Sequence, residues 1–222
     1  MTRAEFARRI DHTALRPETR EKDIRRICDE AAEYGFGAVC VVPWFVMKTR
    51  DYLMDLEADI PVCTVIGFPN GAHLPEVKQL EARCALDDGA LQLDMVMNLS
   101  AFKSGDRDAV TEEIEAVTEI VHDRGATLKL ILETALLKDE EIRRACEVAT
   151  EAGVDYIKTS TGFGPGGATV EAVRIIRECT PSEIRIKASG GIADFETANA
   201  LLQAGADRIG ASKSVAIIKG FA

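Results

Sequence analysis

Short apolar runs rich in β-branched residues alternate along the chain with longer stretches in which apolar positions recur every three or four residues. The runs are "AVCVVP" at 38–43, "PVCTVIGFP" at 61–69, "LQLDMVMN" at 91–98, "TLKLILET" at 127–134, "VDYIKTS" at 154–160, "IRIKASGG" at 184–191 and "DRIGAS" at 207–212. Each has the near-continuous apolar character of a strand covered on both faces, the habit of parallel sheets. Between them the period is helical. Residues 21–35 put Ile24, Ile27, Cys28 and Ala31 on one face, and residues 109–125 do the same with Ile114, Val117, Ile120 and Val121. Gly35, Gly89, Gly125, Gly153 and Gly205 follow such stretches, where a left-handed cap closes a helix.

A short first strand in "RIDHT", residues 9–13, completes eight strand-and-helix units spaced by about 28 residues, the rhythm of repeated right-handed βαβ units. Eight such units close most naturally into an α/β TIM (β/α)8 barrel. The rival is an open doubly wound sheet, which uses fewer strands and carries Gly-x-Gly-x-x-Gly after the first. No such fingerprint follows residues 9–13, and no linker-like stretch divides the chain. A single barrel domain over residues 1–222 is therefore predicted.

Composition narrows the partners. Apolar residues make up 46% and charged residues 29%, enough for a full core. A formal charge of -10 leaves no basic face for nucleic acid. The opening "MTRAEFARRI" lacks the apolar centre of a signal peptide, and no run of about 18 apolar residues occurs, so neither export nor membrane insertion is expected. Six cysteines lie far apart without a Cys-x-x-Cys pair. Reduced thiols in a cytoplasmic protein fit that spacing better than a zinc knuckle or a disulfide framework.

In a (β/α)8 barrel, chemistry gathers at the carboxyl ends of the strands. The polar residues there are Asp11, Asp94, Asn98, Glu133, Lys158 and Lys187; Lys129 lies early in its strand, where a salt bridge suits it, with Glu133 as one possible partner. Side chains alternate with a period of two, and inward layers draw on alternate strands. Asp94, Lys158 and Lys187 can thus converge inside the barrel. Of 27 basic residues only 10 are lysine, so two at neighbouring strand ends stand out. A single strand-end lysine more often runs out to solvent. Paired in a low-dielectric pocket, two ammonium groups repel, and one should lose its proton more readily. Moving an amine from about 10.4 to near 7 takes roughly 4 kcal/mol, within reach of burial plus one neighbouring cation. A lysine so tuned attacks carbonyls to form a Schiff base.

Three glycine-bearing turns follow the last strands: "TGFGPGG" at 161–167, "SGG" at 189–191 and "GAS" at 210–212. Loops in these positions commonly bind phosphate through exposed amide hydrogens, although one or two of the glycines would serve turns alone. Metal chemistry finds little support, because His12, His73 and His122 are scattered. Cys40 ends its strand near the mouth, where a buried inert thiol is the expectation.

Taken together, "DYIKTSTGFGPGGATVE", "IRIKASGGI", "LQLDMVMN", "IDHTAL" and "RIGAS" resemble the deoxyribose-phosphate aldolase family over nearly the whole chain. The resemblance implies reversible cleavage of 2-deoxy-D-ribose 5-phosphate to glyceraldehyde 3-phosphate and acetaldehyde through a lysine Schiff base, without metal or cofactor. It places the Schiff-base lysine on Lys158, the lysine that tunes it on Lys187 and the proton-relay aspartate on Asp94. Sugar contacts fall on Asp11 and Thr161, and phosphate contacts on Gly162, Gly190, Gly191, Gly210 and Ser212. The implied partners are small phosphorylated aldehydes and further copies of the chain, as a homodimer or homotetramer. Two departures bear on the site. Phe163 and Lys213 stand where some members have a lysine and a serine, and the last residues, "IIKGFA", hold no tyrosine, which assists proton transfer in some members. Two other readings stay open on sequence alone: a Schiff-base aldolase acting on a ketose phosphate, and a non-catalytic sugar-phosphate sensor.

Overall fold

A computed structural model describes residues 1–221; Ala222, the last residue of the predicted domain and of "IIKGFA", lies outside the described residues. The eight expected strands all form. They are β1 (Ile10–Ala14), β2 (Ala38–Val41), β3 (Val62–Ile66), β4 (Gln92–Val96), β5 (Thr127–Ile131), β6 (Tyr156–Lys158), β7 (Arg185–Ser189) and β8 (Arg208–Ala211). Every neighbouring pair is parallel, in chain order, and β8 returns to β1, so the sheet closes as a TIM barrel.

Helices connect the strands and form the outer layer. The helix Glu21–Tyr34 buries the predicted Ile24, Ile27, Cys28 and Ala31 and ends at Gly35 with φ 70°. The helix Arg107–His122 buries Ile114, Val117 and Val121, while Ile120 is only half-buried at the edge of that face. The other predicted cap glycines, Gly89, Gly125, Gly153 and Gly205, also take positive φ.

The large apolar side chains sit mainly between the strands and the helices, in one continuous cluster from Phe6 to Ile218. A second, smaller cluster joins Ala38, Cys40, Cys63 and Val65 of β2 and β3 with Leu15. Much of the remaining interior is charged: Asp11, Asp94, Lys129 and Lys187 have no solvent exposure and Lys158 has 2%. Desolvating such groups costs several kcal/mol each before pairing. Each fully buried aliphatic side chain of the outer layer contributes about 1.5–3 kcal/mol. The helix layer therefore carries the stability that lets the barrel hold charge inside.

Candidate active site

Register brings the key groups together. Lys158 of β6 and Lys187 of β7 are direct partners, and Asp94 of β4 pairs with Lys129 of β5. Inward projection from alternate strands then lets Asp94 reach across. Its Oδ2 accepts from Lys158 Nζ at 2.8 Å and Lys187 Nζ at 2.7 Å, and its Oδ1 accepts from Lys129 Nζ at 2.9 Å. The Cys63 thiol donates to the same Oδ1 at 3.2 Å. The predicted cluster of Asp94, Lys158 and Lys187 is thus a physical contact. Lys129 makes the expected salt bridge, but with Asp94; Glu133 follows the end of β5 at φ 54° and points into a different loop.

Asp11, expected as a sugar contact, sits beneath the lysine pair. It is fully buried, its Oδ2 lies 2.5 Å from Lys187 Nζ, and its Oδ1 pairs with the Arg208 guanidinium, with Nε at 2.9 Å. The closure of β8 onto β1 sets Asp11 beside Gly210, one turn of the pleat above Arg208. Asp11 therefore supports Lys187 from beneath and does not line the cavity described below.

The network is Lys129, Lys158, Lys187 and Arg208 against Asp11 and Asp94, which leaves positive charge inside a chain of formal charge -10. A cavity biased in this way draws anions inward. Burial disfavours the Asp94 carboxylate, but Lys129, Lys158 and Lys187 outweigh it and hold its carboxyl well below the usual range. Burial likewise opposes Asp11, and Lys187 and Arg208 bring it down. Lys187 loses hydration too, yet Asp11 and Asp94 push its ammonium well above the usual lysine value, so it remains a cation at neutral pH. Among the described residues, Cys40, Cys63 and Asp94 form the metal-type donor group, with ligand atoms within 4.8 Å of one another. Three lysine Nζ atoms already occupy Asp94, and the charges of Lys129 and Lys187 would repel a cation there, so the residues do not suit a metal.

A cavity of about 300 Å³ opens above this network at the carboxyl ends of β1, β6, β7 and β8. Lys158 and Lys187 form part of its lining, as do Thr161, Gly162, Gly190, Gly191, Gly210 and Ser212. Asp94 lies below the lining, reached through the lysines. Arg16, Phe163 and Lys213 also border the opening. The Arg16 guanidinium lies 5.4 Å from the centre of the Phe163 ring, which meets Phe68 edge-on at 5.3 Å. The first of the departures seen in the sequence, Phe163 and Lys213, thus places an aromatic wall and a cation at the rim.

Two glycines serve packing, and one of them, Gly210, also lines the cavity. A Cβ on Gly167 would come within 2.1 Å of the Gly190 carbonyl oxygen, so the β6 and β7 loops touch backbone to backbone. A Cβ on Gly210 would stand 2.9 Å from Lys187 Cε and 3.0 Å from Ser189 Cβ. Gly210→Ala should therefore crowd a lysine whose head is fixed by two carboxylates, lowering stability by about 1–3 kcal/mol. Urea unfolding measures this, and an unchanged midpoint with unchanged slope would mean that the Lys187 stem moves aside freely.

Residues 7–221 match the family described as DeoC/LacD family aldolase. A deoxyribose-phosphate aldolase of Thermococcus gammatolerans is 51% identical over 220 residues, covering 99% of this chain and 98% of the relative. The chain belongs to the DeoC/LacD aldolase family. Deoxyribose-phosphate aldolase 1 of Bacillus licheniformis is 50% identical, with 97% of this chain and 96% of the relative covered. A solved tetrameric deoxyribose phosphate aldolase of Aeropyrum pernix superposes with a TM-score of 0.92 at 34% identity, covering 99% of this chain and 92% of that one. The sequence motifs and the aldolase relatives agree on one family, and Lys158 and Lys187 lie where the cavity meets the buried network.

Sequence reasoning left out Glu133 and Arg208. Glu133 accepts from the Thr161 backbone N–H at 3.2 Å and from the Thr161 hydroxyl, and Arg208 completes the support of Asp11. The strand-end position of Glu133 was the available signal. For Arg208 there was none beyond its place at the start of β8.

Proposed function

We propose that the chain is a class I deoxyribose-phosphate aldolase, a metal-independent carbon–carbon lyase. The observation that carries this reading is the register pair Lys158 and Lys187 sharing one oxygen of a buried aspartate at 2.8 and 2.7 Å, under a cavity with glycine-rich loops. Lys158 attacks the C1 aldehyde of open-chain 2-deoxy-D-ribose 5-phosphate. Loss of water gives a protonated imine, which withdraws electrons from the C2–C3 bond. That bond breaks as the C3 hydroxyl gives up its proton, releasing glyceraldehyde 3-phosphate and leaving an enamine. Protonation at C2 and addition of water then free acetaldehyde and restore the amine. Lys187 borders the cavity and touches Asp94, so it is the group through which Asp94, with water, takes and returns the travelling proton.

The phosphate is assigned to the loops of Gly162, Gly190, Gly191, Gly210 and Ser212, with Arg16 and Lys213 supplying charge at the rim. A homodimer or homotetramer is the proposed assembly. Large apolar side chains such as Trp44, Leu74 and Leu80 are exposed, the kind of surface that association covers. No helix among the described residues is long and apolar enough to cross a membrane. The cysteines are free, which suits a reducing cytoplasm.

Borohydride added with deoxyribose phosphate or acetaldehyde tests the reading. Peptide mapping is expected to find the substrate's mass, reduced, on Lys158. Label on another residue, or trapping only with dihydroxyacetone phosphate, would reject it in favour of a different nucleophile or a ketose-phosphate aldolase.

A further inference from the structure

Glu133 occupies an unusual place. It is 3% exposed, lies just beyond the end of β5 and holds φ 54°, a left-handed conformation that a residue with a side chain adopts at a cost. Its Oε2 accepts two hydrogen bonds from one residue, Thr161, through the backbone N–H and the hydroxyl. Its Oε1 is buried without a partner. Gly164 closes over the carboxyl group so tightly that a Cβ there would stand 2.8 Å from the Glu133 carboxyl carbon. A strained backbone, a desolvated carboxylate and a glycine lid all serve to hold one threonine hydroxyl.

The hydrogen-bonding capacity of that hydroxyl is then accounted for. Its single proton is committed to Glu133, and the Phe163 N–H donates to its oxygen at 3.0 Å. One lone pair is left on a side chain that lines the cavity. Thr161 can therefore only accept from a ligand. Unaided, a threonine hydroxyl rotates and serves as donor or acceptor alike.

We infer that Glu133 is a positioning residue that fixes Thr161 as an obligatory acceptor, so that the site reads a hydroxyl on the substrate carbon next to the phosphate-bearing one. Resting on the aldolase reading above, the assignment to carbon 4 follows from chain order. Thr161 lies between Lys158, which holds carbon 1, and Gly162, the first glycine of the phosphate loops. The carbon 3 hydroxyl is consumed when the bond breaks, whereas the carbon 4 hydroxyl survives and becomes the C2 hydroxyl of the acceptor aldehyde. Selectivity among acceptors is the property this device controls.

The test is aldol addition of acetaldehyde to D-glyceraldehyde 3-phosphate and to 3-oxopropyl phosphate, the same acceptor without that hydroxyl. The ratio of the two kcat/KM values is the readout. Losing a partner for a dedicated hydrogen-bonding group costs a substrate at least about tenfold. Glu133→Ala and Thr161→Val are each expected to lower the ratio by about tenfold or more, chiefly through KM for the hydroxylated acceptor. The double variant should lose little beyond either single one. Glu133→Gln, whose amide oxygen can still accept, is expected to keep the ratio within about threefold of wild type. Equal losses on both acceptors in Glu133→Ala would reduce Glu133 to a clip for the loop, and an unchanged ratio in Thr161→Val would overturn the inference outright. Wild-type protein inert to both acceptors, with no imine trapped on Lys158, would remove the aldolase reading and this inference with it. An active wild type whose ratio the variants leave alone removes the inference only.

Discussion

Lys158→Leu abolishes turnover while leaving the barrel folded. With the amine proposed to form the imine gone, kcat should fall by at least about 10⁴-fold, the scale seen when a covalent nucleophile is removed. Borohydride should no longer fix substrate on the protein. Lys158→Arg should be equally inert, because a guanidinium does not give up its proton in proteins and cannot form the imine. Stability is expected to move the other way. Lys158 is 2% exposed and is one of three lysines on Asp94, so Lys129 and Lys187 still neutralise the carboxylate after its removal. Replacing a buried polar head group by an aliphatic side chain under those conditions is neutral or stabilising by about 1 kcal/mol. Activity assays beside thermal unfolding check both halves. Substantial residual turnover, or continued trapping in the leucine variant, would place the nucleophile elsewhere.

The parts of this arrangement visible in the sequence are those governed by local periodicity. A strand covered on both faces reads as an unbroken apolar run, so β2 to β8 could be placed within a few residues, and a lysine ending such a run is conspicuous. The two-residue alternation then put Lys158 and Lys187 on one face, and alternate-strand layering brought Asp94 to them. What escaped depends on closure or on one backbone angle. Asp11 and Arg208 are 197 residues apart, and only the joining of β8 to β1 makes them partners and sets Asp11 as a support for Lys187. Glu133 would face inward if β5 continued to it, as a partner for Lys129. The strand stops at Ile131 and the chain turns at φ 54°, which carries the carboxylate to Thr161. Nothing in a period of two announces such a turn. Gly210 was read as a phosphate contact from its place in "GAS"; its closeness to the Lys187 stem is a fact of packing.

Asp94→Asn should damage catalysis and folding together, in contrast to Lys158→Leu. The carboxylate is the common partner of Lys129, Lys158 and Lys187, and an amide leaves their charges without the anion that offsets their burial. Breaking a buried charge network at one member costs about 3–5 kcal/mol, and kcat should fall by about 10³-fold or more as the lysines lose their geometry. The pH dependence gives the loss a signature. Because burial is outweighed by the three lysines, the folded carboxyl lies well below its unfolded value of about 3.9. Its contribution is fully present above that value and fades as pH falls further toward the folded one. The stability gap between wild type and Asp94→Asn should therefore be constant from about pH 5 to 8 and close below about pH 4. Asp11, held down in the same way by Lys187 and Arg208 against its burial, stays in both proteins, so the variant keeps a shallower acid limb. Lys187 has the opposite sign. Its raised folded value supplies stability that is complete below the unfolded lysine value of about 10.4 and is lost as pH climbs through the folded one. With Asp94 neutralised, Asp11 is the carboxylate left to hold Lys187 up, and the alkaline limb should move to lower pH. Chemical denaturation from pH 3 to 11 measures both limbs. A gap that persists unchanged to pH 3 would show that Asp94 acts by shape alone, and the buried charges would need another source of compensation.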